Sequence, residues 1–347
     1  KTNIMIFHAV TSIQGLEWDI AAKLAILARD LKVKELISIE GVASQTEETN
    51  AYYYACAPNI EKKFKKIKIE PLKEGIIMGF QTSFNPHKMG YKIYKIYLKL
   101  RNIPEEKKRL FEHLKSSGKV YWMGECSGTW DLIFGIFAKN DYEFFEEKNQ
   151  IISEFNRIIV EEEGQILLDV KQFPKMYFTK QIANPSMFGG EVDNNELDKI
   201  DYVILGEIVN NARTPIVELA AKLKSTAIII KGRMKRLEQK GVVIQYRIGV
   251  DLNKLGLELY KAIIKLYRYT KEDEKKIFSY LSRLPNVQYI IRNLWSIEPE
   301  FVVDSYQEYY KIIEDLKKEF PQVIRTVDSV LMITDEWTPG FRNLLAS

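Results

Sequence analysis

Five basic side chains, Lys231, Arg233, Lys235, Arg236 and Lys240, lie within ten consecutive positions and share them with one acid, Glu238. At helical spacing such a set neutralises phosphates, and release of their counterions drives association with a polyanion. The surplus is local: residues 198–250 hold 10 Lys and Arg against 5 Asp and Glu, whereas the whole chain of 347 residues has a net charge of only +4. Residues suited to catalysis are sparse. His8, His87 and His113 are the only histidines, too few and too scattered for a histidine-rich metal site or a histidine-based triad. No G-x-G-x-x-G or Walker-type loop offers a nucleotide site. Cys56 and Cys126 are the only cysteines, which fits a reducing cytoplasm and excludes a disulfide scaffold. The expectation is a binding protein with no catalytic residues, no metal and no cofactor.

The elements that must position these cations read as a helix-turn-helix. Asp198 caps a first helix with Ile200, Val203, Ile204 and Ile208 on one stripe. Asn210 to Arg213 breaks it. Thr214 is expected to cap a second helix, with Pro215 at its first position and Glu218 in its first turn. Lys224-Ser225 makes a tight turn, and Thr226 caps a third helix, Ala227–Gln239, ended by Gly241. Val242–Val250 then reads as the strand of a wing. A third helix of this kind enters the major groove and presents its first residues to the bases. The DNA-binding set is therefore Thr226, Lys231, Arg233, Lys235, Arg236 and Lys240. The positions that should reach base edges are Ala227, Ile228 and Ile229. They can touch thymine methyls but form no hydrogen bonds, so a winged helix that has turned from DNA to protein is the competing reading.

Two stretches of the chain match at a spacing of about 166 residues. Gly75 to Phe80, Phe84 to Tyr91 and Lys92 to Tyr94 recur as Gly241 to Tyr246, Val250 to Gly256 and Leu259 to Lys261. Each is followed by strand, amphipathic helix, two strands, an aromatic-rich helix and a last strand. That βαββαβ order folds as a four-stranded antiparallel sheet with both helices on one face, the ferredoxin-like plan. Phe144, Phe145, Tyr309 and Tyr310 are expected to be packing anchors. Residues 181–196 carry Asn184-Pro-Ser186, Gly189-Gly190 and Asp193-Asn-Asn195 and read as a linker.

Leu197-Asp-x-x-Asp201-x-x-Ile204, Ala212-Arg213, Leu219-Ala220, Arg233-Met234-x-x-Leu237-Glu238-x-x-Gly241-Val-Val and Asp251-x-x-Lys254-Leu255-Gly256 together resemble the Lrp/AsnC family of transcriptional regulators, archaeal type. The resemblance covers 197–336, and a second unit similar to that family's RAM domain covers about 75–180. It implies double-stranded DNA as a partner, assembly into a homodimer or larger, and a small effector such as an amino acid. The family's Gly-x-x-Asp near the ligand appears once, as Gly128-Thr129-Trp130-Asp131, so Gly128, Thr129 and Asp131 are the implied effector-binding residues. The second repeat has Asn293 to Ile297 there, with neither glycine nor aspartate. Siroheme decarboxylases resemble the same family, but neither His87 nor His113 pairs with a second histidine. A protein-interaction scaffold is the remaining alternative, which exposed Ile228 and Ile229 would favour.

The fold class expected is α+β: a winged helix-turn-helix plus two ferredoxin-like βαββαβ (RAM-like) domains, with an N-terminal α/β segment. Its expected divisions are 1–80 (α/β segment), 81–180 (first RAM-like domain), 181–196 (linker), 197–250 (winged helix-turn-helix), 251–336 (second RAM-like domain) and 337–347 (tail). Within 1–80, strands at Asn3–Val10, Glu35–Glu40 and Ala51–Cys56 alternate with helices at Ile13–Leu31 and Pro58–Lys66, and Glu35 to Gly41, Tyr52 to Cys56 and Ile69 to Gly79 are similar to part of the proteasome-assembly-chaperone-like family. No apolar run approaches the roughly 18–20 residues of a membrane span. No signal peptide is read at Lys1-Thr2-Asn3, and the lack of an initiator Met suggests a fragment. The expected location is the cytoplasm.

Overall fold

The computed structural model describes residues 52–53, 70–71, 76–209 and 211–337. The chain divides into two units, Lys1–Leu72 and Lys73–Ser347, ahead of the division expected at residue 80. In the first unit, β1 (Tyr52–Tyr53) pairs in parallel with β2 (Glu70–Pro71). The strands and helices expected over 3–40 and 58–66 lie outside the described residues.

The second unit carries both repeats. The first runs β4 (Lys92–Leu100), α1 (Pro104–Ser116), β5 (Val120–Gly128), β6 (Leu132–Ala138), α2 (Asp141–Glu154) and β7 (Ile159–Gln172). The second runs β10 (Glu258–Leu266), α7 (Lys271–Leu281), β11 (Val287–Asn293), β12 (Ile297–Val303), α8 (Tyr306–Glu319) and β13 (Ile324–Met332). Alternation along each strand builds two faces. On β4, Ile96, Leu98 and Leu100 pack against Leu110, Leu114, Ile151 and Phe155 of the first repeat's helical layer. Ile93 and Tyr97 point the other way, into a core shared with Ile263, Val302 and Val330 of the second repeat. Of the four aromatic anchors expected, Phe144 stacks on Tyr94 with ring centroids 4.1 Å apart and Tyr309 is buried, but Phe145 and Tyr310 are exposed. They lie on the outward side of α2 and α8, where the helical turn carries them away from the sheet.

The two sheets join at both edges. β13 pairs with β5 (Val330 with Gly128, Met332 with Cys126), and β7 pairs with β11 (Val170 with Ile291, Asp169 with Arg292), all antiparallel. The strand order β11-β12-β10-β13-β5-β6-β4-β7, returning to β11, is a closed barrel with no free edge among its strands. Gly128 serves this closure. Its φ is +135°, and a Cβ there would stand 2.4 Å from the Ser329 carbonyl oxygen, so any larger residue would force the strands apart.

Residues 181–196 are less free than a linker. Within them β8 (Ser186–Gly189) adds to the outer side of β7, and the Asn85 amide brackets Gly189, donating to its carbonyl at 3.1 Å and accepting from its N–H at 2.9 Å. A short helix, α3 (Met176–Thr179), precedes β8, and the helix-turn-helix follows as α4 (Lys199–Ile208), α5 (Ile216–Lys222) and α6 (Ala227–Gln239). Pro215 itself takes the cap position of α5, while the Thr214 hydroxyl donates to the Asn211 carbonyl. The wing strand β9 (Val243–Val250) pairs antiparallel with β3 (Ile77–Phe84), the strand that leads into the first repeat. This ribbon is tied to the helices: the Thr82 hydroxyl donates to the Ile208 carbonyl (2.8 Å) and the Thr82 amide to the Val209 carbonyl (3.2 Å).

Candidate functional site

Helix α6 is built as its sequence requires. Thr226 caps it, accepting from the Ile229 amide at 3.3 Å, and Ile230, Met234 and Leu237 are buried against Ile204, Leu205, Ile208 and Leu219. Burying each such aliphatic side chain is worth about 1.5–3 kcal/mol, enough to hold a three-helix unit as a rigid platform. The opposite face carries Ile228, 85% exposed, and Ile229, 52% exposed.

The basic residues of α6 divide. Arg233 donates to Asp198 (2.7 Å) and Asp201 (2.8 Å), and Arg236 also bonds Asp201, whose side chain is fully buried. Asp198 and Asp201 form the capping box of α4, so the two arginines clamp α6 to the start of α4. The hydrogen bonds from Arg233 hold the Asp198 carboxyl below the usual carboxylate range. Lys240 donates to the Glu196 carbonyl at 3.0 Å. Lys231 and Lys235 are exposed and make no ion pair among the described residues. Two of the sequence's five cations are thus free to meet phosphate, and three are held by the chain itself.

The loop bearing Gly128, Thr129 and Asp131 is engaged with the chain itself. Asp131 accepts from the Leu100 amide (2.8 Å) and the Lys99 ammonium (3.1 Å), and the Thr129 amide points to the Ser329 carbonyl (3.4 Å). The loop brings the three residues together, but their polar groups lock the β5–β6 corner. The two histidines among the described residues stay apart: His87 is buried with its ring on the Gly190 carbonyl (2.6 Å), and His113, half-buried, lies edge-on to Phe155 and 3.5 Å from Glu154.

A second polar cluster, unforeseen in the sequence, lies inside the barrel. Lys95 and Lys261, each fully buried, occupy equivalent positions of the two repeats. Lys95 bonds Glu298, and Lys261 pairs with Glu300 at 2.6 Å and lies 3.7 Å from Glu298. Burial alone would raise the Glu298 carboxyl, but Lys95 and Lys261 hold it below the carboxylate range, and Asn293 and Ser296 complete its hydrogen bonds at 2.6 and 3.0 Å. Burial brings Lys95 down to about 8 against the pull of Glu298. The signal was present: a lysine interrupts an apolar strand run at the same place in both repeats. Above this cluster a cavity of about 110 Å³ separates the β3–β9 ribbon from the barrel interior. Among the described residues no group of His, Cys, Asp or Glu is placed to hold a metal ion, and no helix is long and apolar enough to cross a membrane.

Comparison with known proteins agrees with this geometry. Residues 197–244 match the winged helix-turn-helix DNA-binding family. An uncharacterised HTH-type transcriptional regulator of Pyrococcus horikoshii is 28% identical over 143 residues, which cover 40% of this chain and 94% of that protein. The HTH-type transcriptional regulator LrpC of Bacillus subtilis is 32% identical over 100 residues, 28% of this chain and 66% of that protein. Among solved structures, the siroheme decarboxylase NirDL superposes with a TM-score of 0.54 at 11% identity, covering 82% of this chain and 85% of that one, a likeness of fold.

A winged helix followed by a ferredoxin-like unit, with relatives of this kind, defines the class as winged-helix transcriptional regulators. Within it, the chain is a regulator of the Lrp/AsnC type, and its α+β fold is the one expected of that type.

Proposed function

We propose that this chain binds double-stranded DNA through α6, with Ile228 and Ile229 toward the bases, Lys231 and Lys235 on the phosphates, and Thr226 holding the start of the helix in register. The observation that carries this reading is a rigid helix whose outward face combines exposed aliphatic groups with unpaired cations. Apolar contact distinguishes thymine by its methyl group and leaves other bases unread, so the preference falls on A·T-containing sites. Phosphate contacts supply most of the affinity. Arg233, Arg236 and Lys240 serve the platform and do not contribute free charge.

The chain presents one such helix among the described residues, so reading a two-fold site requires a second chain. Closure of the barrel uses the sheet edges, and a homodimer must therefore form through other surfaces. The proposed place of action is the cytoplasm, the proposed role is binding without catalysis, and a small effector modulates it. The test is binding of labelled random and native upstream duplexes across a salt series. Affinity that falls steeply with salt supports the reading; no binding at low salt overturns it in favour of a protein-binding winged helix. Light scattering with and without DNA tests the dimer, and a monomer in both conditions counts against it.

A further inference from the structure

The cavity between ribbon and barrel is built unlike the Gly128–Asp131 loop and lies away from it along β4. Its apolar wall includes Phe84, Trp122, Phe137 and Ile291. Its polar wall carries three cations, Lys95, Lys261 and Arg247, and two acids, Glu300 and Asp335. Lys95 and Lys261 are matched by Glu298 and Glu300. Asp335 accepts from the Trp122 indole N–H. Arg247 bonds the Tyr289 hydroxyl, its guanidinium 5.6 Å from that ring, and makes no ion pair among the described residues. Lys175, behind it, reaches only the Tyr177 hydroxyl at 3.4 Å. Of the three cations on the wall, Arg247 is the one without a carboxylate at ion-pair distance among the described residues.

We propose that this cavity binds one small organic monocarboxylate with an apolar body per chain, its carboxylate on the Arg247 guanidinium and its hydrocarbon against Trp122, Phe84 and Phe137. Carboxylate on guanidinium is a charge-assisted bond, stronger than its neutral counterpart. The volume admits only a small body: an apolar cavity of about 150 Å³ takes benzene, and this one is about 110 Å³. A zwitterion fits less well. A ligand ammonium would stand among Lys95, Lys261 and Arg247 and would compete with Lys261 for Glu300 and with the Trp122 N–H for Asp335. One ligand per chain follows from the pairing of the ribbon: Arg247 faces Gln81, its counterpart in the other repeat, so only one side of the cavity offers a guanidinium. Thr82, next to Gln81, carries the hydrogen bonds to the end of α4, which couples an occupied cavity to the helix-turn-helix.

Ligand binding at this cavity is measured without DNA. Calorimetry on the full chain compares 4-methylpentanoate and benzoate with 4-methylpentanamide, benzamide and leucine. Expected are one carboxylate per chain and at least tenfold weaker binding of both amides and of leucine. Arg247→Gln, which places at 247 the residue already found at 81, should lose at least tenfold, Arg247→Lys should recover part of it, and Asp131→Ala should bind like the native chain. Equal binding of acid and amide, two carboxylates per chain, no saturable binding of either acid at millimolar concentration, or an unchanged Arg247→Gln overturns the proposal. The acid–amide comparison is made on the native chain and decides the matter if a variant fails to fold.

Discussion

Gln81 and Arg247 stand directly opposite each other in the two-stranded ribbon, and each holds the same place in its own repeat. The local two-fold axis relating the repeats therefore passes between them. The paired strand edges obey the same relation: β5 against β13 at one seam is answered by β11 against β7 at the other. The arrangement is that of an isologous dimer contained in one chain. It is broken where chemistry is concentrated. Lys95 lies opposite Gly135, whereas its counterpart Lys261 lies opposite Glu300.

Lys231→Ala and Lys235→Ala should each weaken DNA binding on all sequences. Each should lower the slope of log affinity against log salt by about 1, because one phosphate contact is lost. Fluorescence anisotropy across a salt series measures both. A slope unchanged in the double variant would place the DNA elsewhere.

Ile228→Ala should leave stability within about 0.5 kcal/mol, since the side chain is exposed. Its effect should appear as selectivity: affinity for a preferred thymine-bearing duplex falls while that for random duplex holds. Selection from a randomised pool, run on both proteins, reads this directly. Identical pools would show that the side chain does not touch bases.

Asp201→Asn should act on the platform. It removes a fully buried charge from Arg233 and Arg236 and leaves only a neutral amide oxygen to accept from the Asp198 N–H in the α4 capping box. Because the arginines retain solvent contact, a loss of about 2–3 kcal/mol is expected, toward the lower end for a broken buried pair. Chemical denaturation gives the number. Native stability would mean that the clamp is incidental.

Lys175 supplies a pH dependence of defined sign. Burial, with Arg247 alongside, lowers its ammonium to about 7 from a usual 10.5. Between these values the unfolded chain holds a proton that the folded chain has released, so this residue makes stability rise with pH across that window. Below about 7 both states are charged and the burial cost is present in full. Lys175→Met should therefore raise the melting temperature most below pH 7, with the gain shrinking toward pH 10.5. A gain independent of pH would assign it to packing alone.

Burial raises the Cys126 thiol to about 12, and its sulfur lies 3.6 Å from the Met332 sulfur inside the barrel. At pH 8 the thiolate is scarce and inaccessible. Cys126 should resist iodoacetamide in the native chain and react at the rate of barrel opening. Mass spectrometry at this site over a denaturant series gives that rate; prompt labelling without denaturant would contradict the closed seam.

Local chemistry was legible in the sequence and distant partnership was not. Thr226 as a cap, Ala227–Gln239 as a helix, Pro104–Ser116 as a helix and Leu132–Ala138 as a strand are set by neighbours a few residues away. Arg233 meets Asp198 across 35 positions, and no periodicity reports such a pairing, so all five cations of α6 looked equally free. The same holds for β3 and β9. Their likeness as repeats was visible, but two strands that resemble each other need not touch. Asp335 reaches the cavity only because residues 333–337 cross back over β5, with Ile333 bonded to Glu125 and Trp337 opposite Trp122.

Joining both halves of the barrel in one polypeptide alters how that barrel responds to dilution. Two separate chains would come apart at low abundance, because their association depends on concentration. Here closure is unimolecular, and each half always meets its partner at the effective concentration set by the connecting segment. Expression level then has no hold on whether the barrel exists. A change to one half also no longer imposes itself on the other, which is the condition under which a glutamate can enter at 300 while 135 remains glycine.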